Sequence, residues 1–182
     1  MQRQGSDGGS AAFRIRVAGS VLLVAHLALV AWLTLRPLDV PWVRPANLQP
    51  LAGIRADLAL GWPEATRRLG EGLALLAPLG VLLPMAGGRL DGSTFASLVR
   101  TVATGTLVSL GIELAQTGVP GQVADIDSVL LNTAGVALAH VLVLPAARVL
   151  LRRFVSRRRT AHPREETPQG RTPTIPRVGI AP

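Results

Sequence analysis

Val17–Leu35 reads VAGSVLLVAHLALVAWLTL, and its 19 consecutive residues carry no charge. At 1.5 Å rise per residue such a helix covers roughly 30 Å, the thickness of a bilayer's hydrocarbon core. Three further apolar stretches follow, at about residues 69–86, 95–117 and 126–151. The chain therefore reads as all-α, an integral membrane bundle of about four transmembrane helices. The composition agrees, since 48% of the 182 residues are hydrophobic and only 16% are charged, too apolar and too clumped for a soluble domain. A cleaved signal peptide is the alternative reading of the first stretch, with Arg14 and Arg16 as its basic leader. Against it, the apolar run is long for a signal core, and Arg36-Pro37 follows with no small-x-small cleavage site.

Outside these spans the chain changes character. Residues 1–16 read as a disordered N-terminal arm, polar and rich in Gly and Ser at its start, residues 17–151 as the transmembrane domain, and residues 152–182 as a disordered Arg- and Pro-rich tail. Residues 36–68 contain Pro37, Pro41, Pro45, Pro50 and Pro63, which rule out one continuous helix. With Trp42 and Trp62 at headgroup depth, that connection is expected to lie on the membrane surface. Pro78 and Pro84 interrupt the second span, which should be kinked and packed inside the bundle.

Charge sets an orientation. All 19 basic residues are arginine and the formal net charge is +8. Arg3, Arg14, Arg16, Arg89, Arg100, Arg148 and the Arg157-Arg158-Arg159 run flank the N-terminus, the second loop and the C-terminus. By the positive-inside rule these regions are cytoplasmic. The loop between spans three and four has no arginine and holds Asp125 and Asp127, as expected on the outside. The first loop, with Arg36, Arg44, Arg55, Arg67 and Arg68, runs against the rule. The expectation is a multi-pass protein of the plasma membrane with both termini in the cytoplasm.

Arginines that flank apolar segments, in a chain with few aromatic residues for base stacking, argue against nucleic acid. The chain has no cysteine, which excludes disulfides, thiolate metal sites and cysteine nucleophiles.

The polar residues inside the spans are the candidates for function. Thr106, Ser109, Glu113 and Gln116 share one face of the third span. Asp125, Ser128, Asn132 and Gly135 repeat the spacing at the start of the fourth. Glu113, Gln116, Asp125, Asp127 and Asn132 thus fall toward one end of the bundle, with Glu71 and the Asn47-Leu48-Gln49-Pro50 stretch. A carboxylate within a span is expensive and faces a partner or a water-filled cavity. Two readings compete. In one, Glu113, Gln116, Asp125, Asp127, Asn132 and Asn47 line an outer polar cavity. In the other they are glue: amides bond across helices, Asp125 or Asp127 caps the fourth helix, and Arg67 or Arg68 meets the charge of Glu113. His26 and His140 could serve a proton relay, but a lone histidine on an apolar helix is more often neutral and hydrogen-bonded to a neighbour. Oxygen ligation of a hard cation matches no dedicated spacing, so no metal and no cofactor is expected.

The segment Ser109–Gly135, SLGIELAQTGVPGQVADIDSVLLNTAG, resembles the VanZ-like family in its IE-x-x-Q helix end, its D-x-D element and its LNT-x-G helix start. APLGVLLP at Ala77–Pro84 and NLQPL at Asn47–Leu51 extend the likeness over roughly residues 35–150. The resemblance carries over to Asn47, Pro50, Pro78, Gly80, Glu113, Gln116, Asp125, Asp127, Asn132 and Gly135, with Pro78, Gly80 and Gly135 as structural positions. Gln122 stands where the family usually has an arginine, Ser128 where it has an aspartate, and Gly72 where it has an asparagine. Such proteins are small multi-span membrane proteins, and the founding example is associated with resistance to teicoplanin. The resemblance implies a non-enzymatic envelope protein in contact with membrane lipids, whose outer cavity takes a lipid-linked or lipid-tailed molecule. The rivals are a membrane enzyme with Glu113 and Asp127 as general acid and base, and a scaffold that uses the arginine tail from Ser156 to Pro182.

Overall fold

A computed structural model describes residues 6–39, 45–88 and 93–160. Six helices account for it: α1 (Ser6–Thr34), α2 (Ala52–Ala59), α3 (Trp62–Leu76), α4 (Leu79–Gly87), α5 (Thr94–Gln116) and α6 (Ile126–Thr160). Four segments are long and apolar enough to cross a membrane, Ala12–Thr34, Trp62–Gly87, Thr94–Gln116 and Ile126–Val143. The second joins α3 and α4 across a break at Ala77 and Pro78. Two compact units divide the chain, Met1–Val149 and Leu150–Pro182. The first holds all four spans, and of the second the helix up to Thr160 is described.

Several boundaries differ from those read in the sequence. Helix α1 begins at Ser6, so residues 6–16 are helical where a disordered arm was expected. Extending an existing helix adds one hydrogen bond per residue with no new nucleation, which lets residues 6–16 continue the helix of the span even though they include Gly8 and Gly9. The second span begins at Trp62, well before Leu69. Pro63 occupies its first turn with Glu64 close behind, both favourable where N–H groups are unpaired and the helix end is positive. Its polar residues sit on a helix because they pair along it, with Arg67 bonding Glu64 and Glu71 and Arg68 bonding Glu64. The fourth apolar stretch closes at Val143, ahead of Pro145, while the helix itself runs to Thr160, so residues 152–160 are helical where the tail was read as disordered. Trp42, Arg44, Arg89 and the tail from residue 161 onward lie outside the described residues.

Lipid is the solvent of these surfaces. Only 11–33% of each span is buried within the protein, and Val24, Trp32, Leu107 and Leu142 are each more than two-thirds exposed. The buried core is correspondingly small: Val30, Leu76, Leu79 and Val136, with Leu23, Leu27, Leu75, Leu83, Val108 and Ile112 packed around them. α1 packs on α4 and α5, and α4 on α5. Since lipid tails are as apolar as leucine, association here depends on close backbone approach and on hydrogen bonds between helices. Gly135 shows the first: a Cβ there would collide with the Leu73 carbonyl oxygen, so α6 and α3 meet backbone to backbone.

Gly135→Ala should therefore lower stability in detergent by about 1–3 kcal/mol through overpacking. Gly111→Ala, where a Cβ would meet open space, should change it by less than about 0.5 kcal/mol. Thermal unfolding of the two variants beside the wild type checks the pair, and equal losses would show that the α3–α6 contact is not close-packed.

Candidate functional site

One end of the bundle collects the C-terminal ends of α1 and α5, the α1–α3 connection and the start of α6. Backbone hydrogen bonds tie these stretches of chain together: Leu38 N–H to the Pro120 carbonyl at 3.1 Å, Asn47 N–H to the Ala124 carbonyl at 3.1 Å, and Ile126 N–H to the Asn47 carbonyl at 3.0 Å. Asn47 and Asp125 form an isolated parallel bridge. Gln116 donates to the Thr34 carbonyl at 3.2 Å, and Gln122 to the Arg36 carbonyl at 3.2 Å.

Within this frame the carboxylates serve helix ends. Asp125 precedes α6, and its Oδ1 accepts the Asp127 N–H at 2.9 Å, an N-cap. Asp127, 2% exposed, turns away from its own helix and caps another. Its Oδ1 accepts the Leu51 N–H, and its Oδ2 accepts the N–H groups of Gly53 at 2.7 Å and Ile54 at 3.3 Å. Those are the N–H groups of the N-cap residue Leu51 and of the second and third residues of α2, and Leu51 supplies no side-chain cap and adopts φ +68°. A left-handed leucine costs roughly 1–2 kcal/mol, and the Asp127 carboxylate offsets it by holding the peptide in that conformation. Asn47 bridges the two acids, donating from Nδ2 to Asp125 Oδ1 at 2.8 Å and to Asp127 Oδ2 at 3.2 Å. Its own Oδ1 accepts the Gln49 N–H at 3.2 Å.

Glu113 sits directly beneath. It is 7% exposed, and its Oε2 accepts the Asp125 N–H at 2.7 Å. Deeper along the α5–α6 seam, Asn132 Nδ2 donates to Ser109 Oγ at 2.9 Å, and Thr106 and Thr133 share a hydrogen bond of 3.1 Å. The structure thus brings together Asn47, Glu113, Asp125 and Asp127, with Asn132 one layer below. It does not bring Gln116 or Glu71 to them: Gln116 faces the end of α1, and Glu71 pairs with Arg67 on an exposed face.

One expectation needs correcting. Arg67 and Arg68 do not meet the charge of Glu113, because both are engaged on α3 and α2 by Glu64, Glu71 and Asp57. Of the two acids offered as a cap for the fourth helix, Asp125 takes that role, while Asp127 caps α2. Sequence reasoning also passed over Leu51, Gly53 and Ile54 as ligands of Asp127. No spacing in the sequence marks them, and only the structure shows that a Cβ at Gly53 would lie 3.0 Å from Asp127 Oδ2.

An open groove of about 550 Å³ lies elsewhere, between Leu98, Val99, Val102 and Ala103 of α5 and Ala137, Leu138 and Val141 of α6. Its lining is apolar and includes none of the carboxylates. Among the described residues no group of three or more His, Asp or Glu is arranged to hold a metal ion.

If Asp127 is the cap of α2, Asp127→Ala should cost about 1–2 kcal/mol locally, which speeds exchange of the Leu51, Gly53 and Ile54 amides roughly 5- to 30-fold. Hydrogen–deuterium exchange in micelles reads this directly, with mid-α5 amides unchanged as the control. Unaltered exchange at all three amides would remove the cap.

No curated protein and no solved structure matches the chain significantly. A profile of the VanZ/LLP1 family matches residues 23–151, which takes in the C-terminal half of the first span, the other three spans, α2 and the Asn47–Asp125–Asp127 cluster. With that match over more than half its length, the chain belongs to the VanZ/LLP1 family of membrane proteins.

Proposed function

We propose that this chain is a non-enzymatic protein of the cell envelope, with its carboxylate end on the outer face of the plasma membrane. There it engages the lipid-tailed part of an amphiphile and lowers the access of lipophilic glycopeptides such as teicoplanin to their target. The observation that carries this reading is the ledge formed by residues 47–62. Asp127 and Asn47 pin this segment across the end of the bundle. It presents Leu48, Leu58, Leu60 and Trp62, which are 73%, 47%, 56% and 77% exposed, beside the charged Arg67, Arg68 and Glu64 of α3. Apolar side chains next to fixed charges at the depth of the headgroups suit a molecule with an acyl chain and a polar head.

The carboxylates support a holding role over acid–base chemistry. Both oxygens of Asp127, Oδ1 of Asp125 and Oε2 of Glu113 accept backbone N–H groups. A general acid or base needs its proton-transfer atom directed at a substrate. The arginines of the N-terminal arm, the second loop and the C-terminus support this orientation, and those of residues 36–68 run against it.

Two experiments test this. The chain lacks cysteine, so single cysteines report its topology. Thr117→Cys should react with a membrane-impermeant maleimide on intact cells, and Ser93→Cys only after permeabilisation. The reverse pattern would put the ledge in the cytoplasm. For function, a sensitive Gram-positive host expressing the wild type should tolerate several-fold more teicoplanin than the empty host. Protection should be lost with Asp127→Ala, and with the combined change Leu58→Asn, Leu60→Asn and Trp62→Ala, at equal membrane levels. A folded wild type that gives no protection would overturn the proposal.

A further inference from the structure

The second span contains a backbone defect, and a side chain from the fourth span fills it. Pro84 lies inside α4. Having no N–H, it leaves the carbonyl of the residue four positions earlier, Gly80, without its helical donor. Gly80 is buried in the bundle at a depth where water cannot stand in, and an unsatisfied carbonyl in hydrocarbon is costly. His140 of α6, 2% exposed, places its Nδ1 3.0 Å from the Gly80 oxygen. Gly80 also makes the approach possible. A Cβ there would collide with the Val136 carbonyl oxygen and would lie 2.8 Å from the His140 backbone nitrogen.

We infer that His140 is a positioning residue whose Nδ1–H replaces the hydrogen bond that Pro84 cannot make, so that Gly80, Pro84 and His140 act as one latch joining spans two and four. A carbonyl oxygen can only accept, so the bond requires the proton on Nδ1. Nε2, which is buried and has no partner among the described residues, contributes no second anchor. The Gly80 carbonyl is what sets the ring. This inference does not depend on the proposed function or on which side the carboxylate end faces.

A double-mutant cycle on the full chain in detergent tests it, with the folding equilibrium followed by SDS titration. In the wild-type background His140→Leu should lower the folding constant roughly 3- to 15-fold, the range of interhelical hydrogen bonds in membranes. In the Pro84→Ala background, where the restored backbone N–H at position 84 takes up the Gly80 carbonyl, the loss should shrink to less than half as many fold. His140→Asn, whose amide nitrogen occupies the place of Nδ1, should retain most of the stability. His140→Gln, whose amide nitrogen falls near Nε2, should not. Equal losses in both backgrounds, or rescue by Gln and not by Asn, would overturn the latch. A second measurement covers the case in which Pro84→Ala does not fold. With His26 and His162 replaced by Gln, the ¹⁵N spectrum of His140 should show a protonated Nδ1 and a bare Nε2, and the opposite tautomer would refute the inference.

Discussion

Inside a bilayer no backbone N–H or C=O can fall back on water, so every interruption of a helix must be answered by another part of the chain. Two of this chain's interruptions are answered by α6. At the end of the bundle α2 starts without a cap of its own, and Asp127 supplies three acceptor contacts. In the second span Pro84 orphans a carbonyl, and His140 supplies a donor. Between them, Asn132 bonds Ser109 across to α5. The polar residues of α6 are thus committed to other elements, Asp127 and His140 to their backbone and Asn132 and Thr133 to side chains of α5.

The relative weights of the interactions favour that view. The Arg67–Glu64–Arg68–Glu71 network is the most conspicuous set of charges, yet all its members lie on an exposed face of α3. Exposed ion pairs are screened and contribute little. The apolar core is small because most apolar side chains face lipid and gain nothing by burial against each other. What remains to hold the helices in register is close contact, as at Gly135 and Gly80, together with buried hydrogen bonds. A methyl group added at either glycine meets a carbonyl oxygen, so these positions tolerate no compromise.

The four spans could be read from the sequence because lipid imposes a length and an absence of charge, and both are local properties. The early start of α3 was hidden for the converse reason: Glu64, Arg67, Arg68 and Glu71 look like a loop until their spacing of three and four residues is set on a helix. Asn47, Asp125, Asp127 and Glu113 were all marked as polar residues bound for one end. Their wiring was not legible, since Asn47 and Asp127 are 80 positions apart and the N–H groups that Asp127 holds belong to residues with no polar side chain at Leu51, Gly53 and Ile54. Capping is ordinarily local, and a cap provided in trans leaves no spacing signature. His140 likewise resembled any solitary histidine, because the carbonyl it serves is exposed only by a proline on a different helix.

The same wiring explains how three carboxylates crowd together with no arginine bonded to them among the described residues. Gln122 stands where a counter-charge would be expected, and its amide instead bonds the Arg36 carbonyl on another flank. The compensation comes from helix ends. Asp127 lies at the N-terminus of α2, Asp125 at the N-terminus of α6, and Glu113 accepts the N–H of Asp125 at that same terminus. Each terminus carries about half a positive charge with its N–H groups aimed at the acid. Two helix ends can therefore do what one guanidinium would have done, and with fixed geometry. The acids are committed to backbone N–H groups, so the ledge presents Leu48, Leu58, Leu60 and Trp62 to its surroundings alongside Gln49 and Arg55, an amphipathic face held in place by those acids.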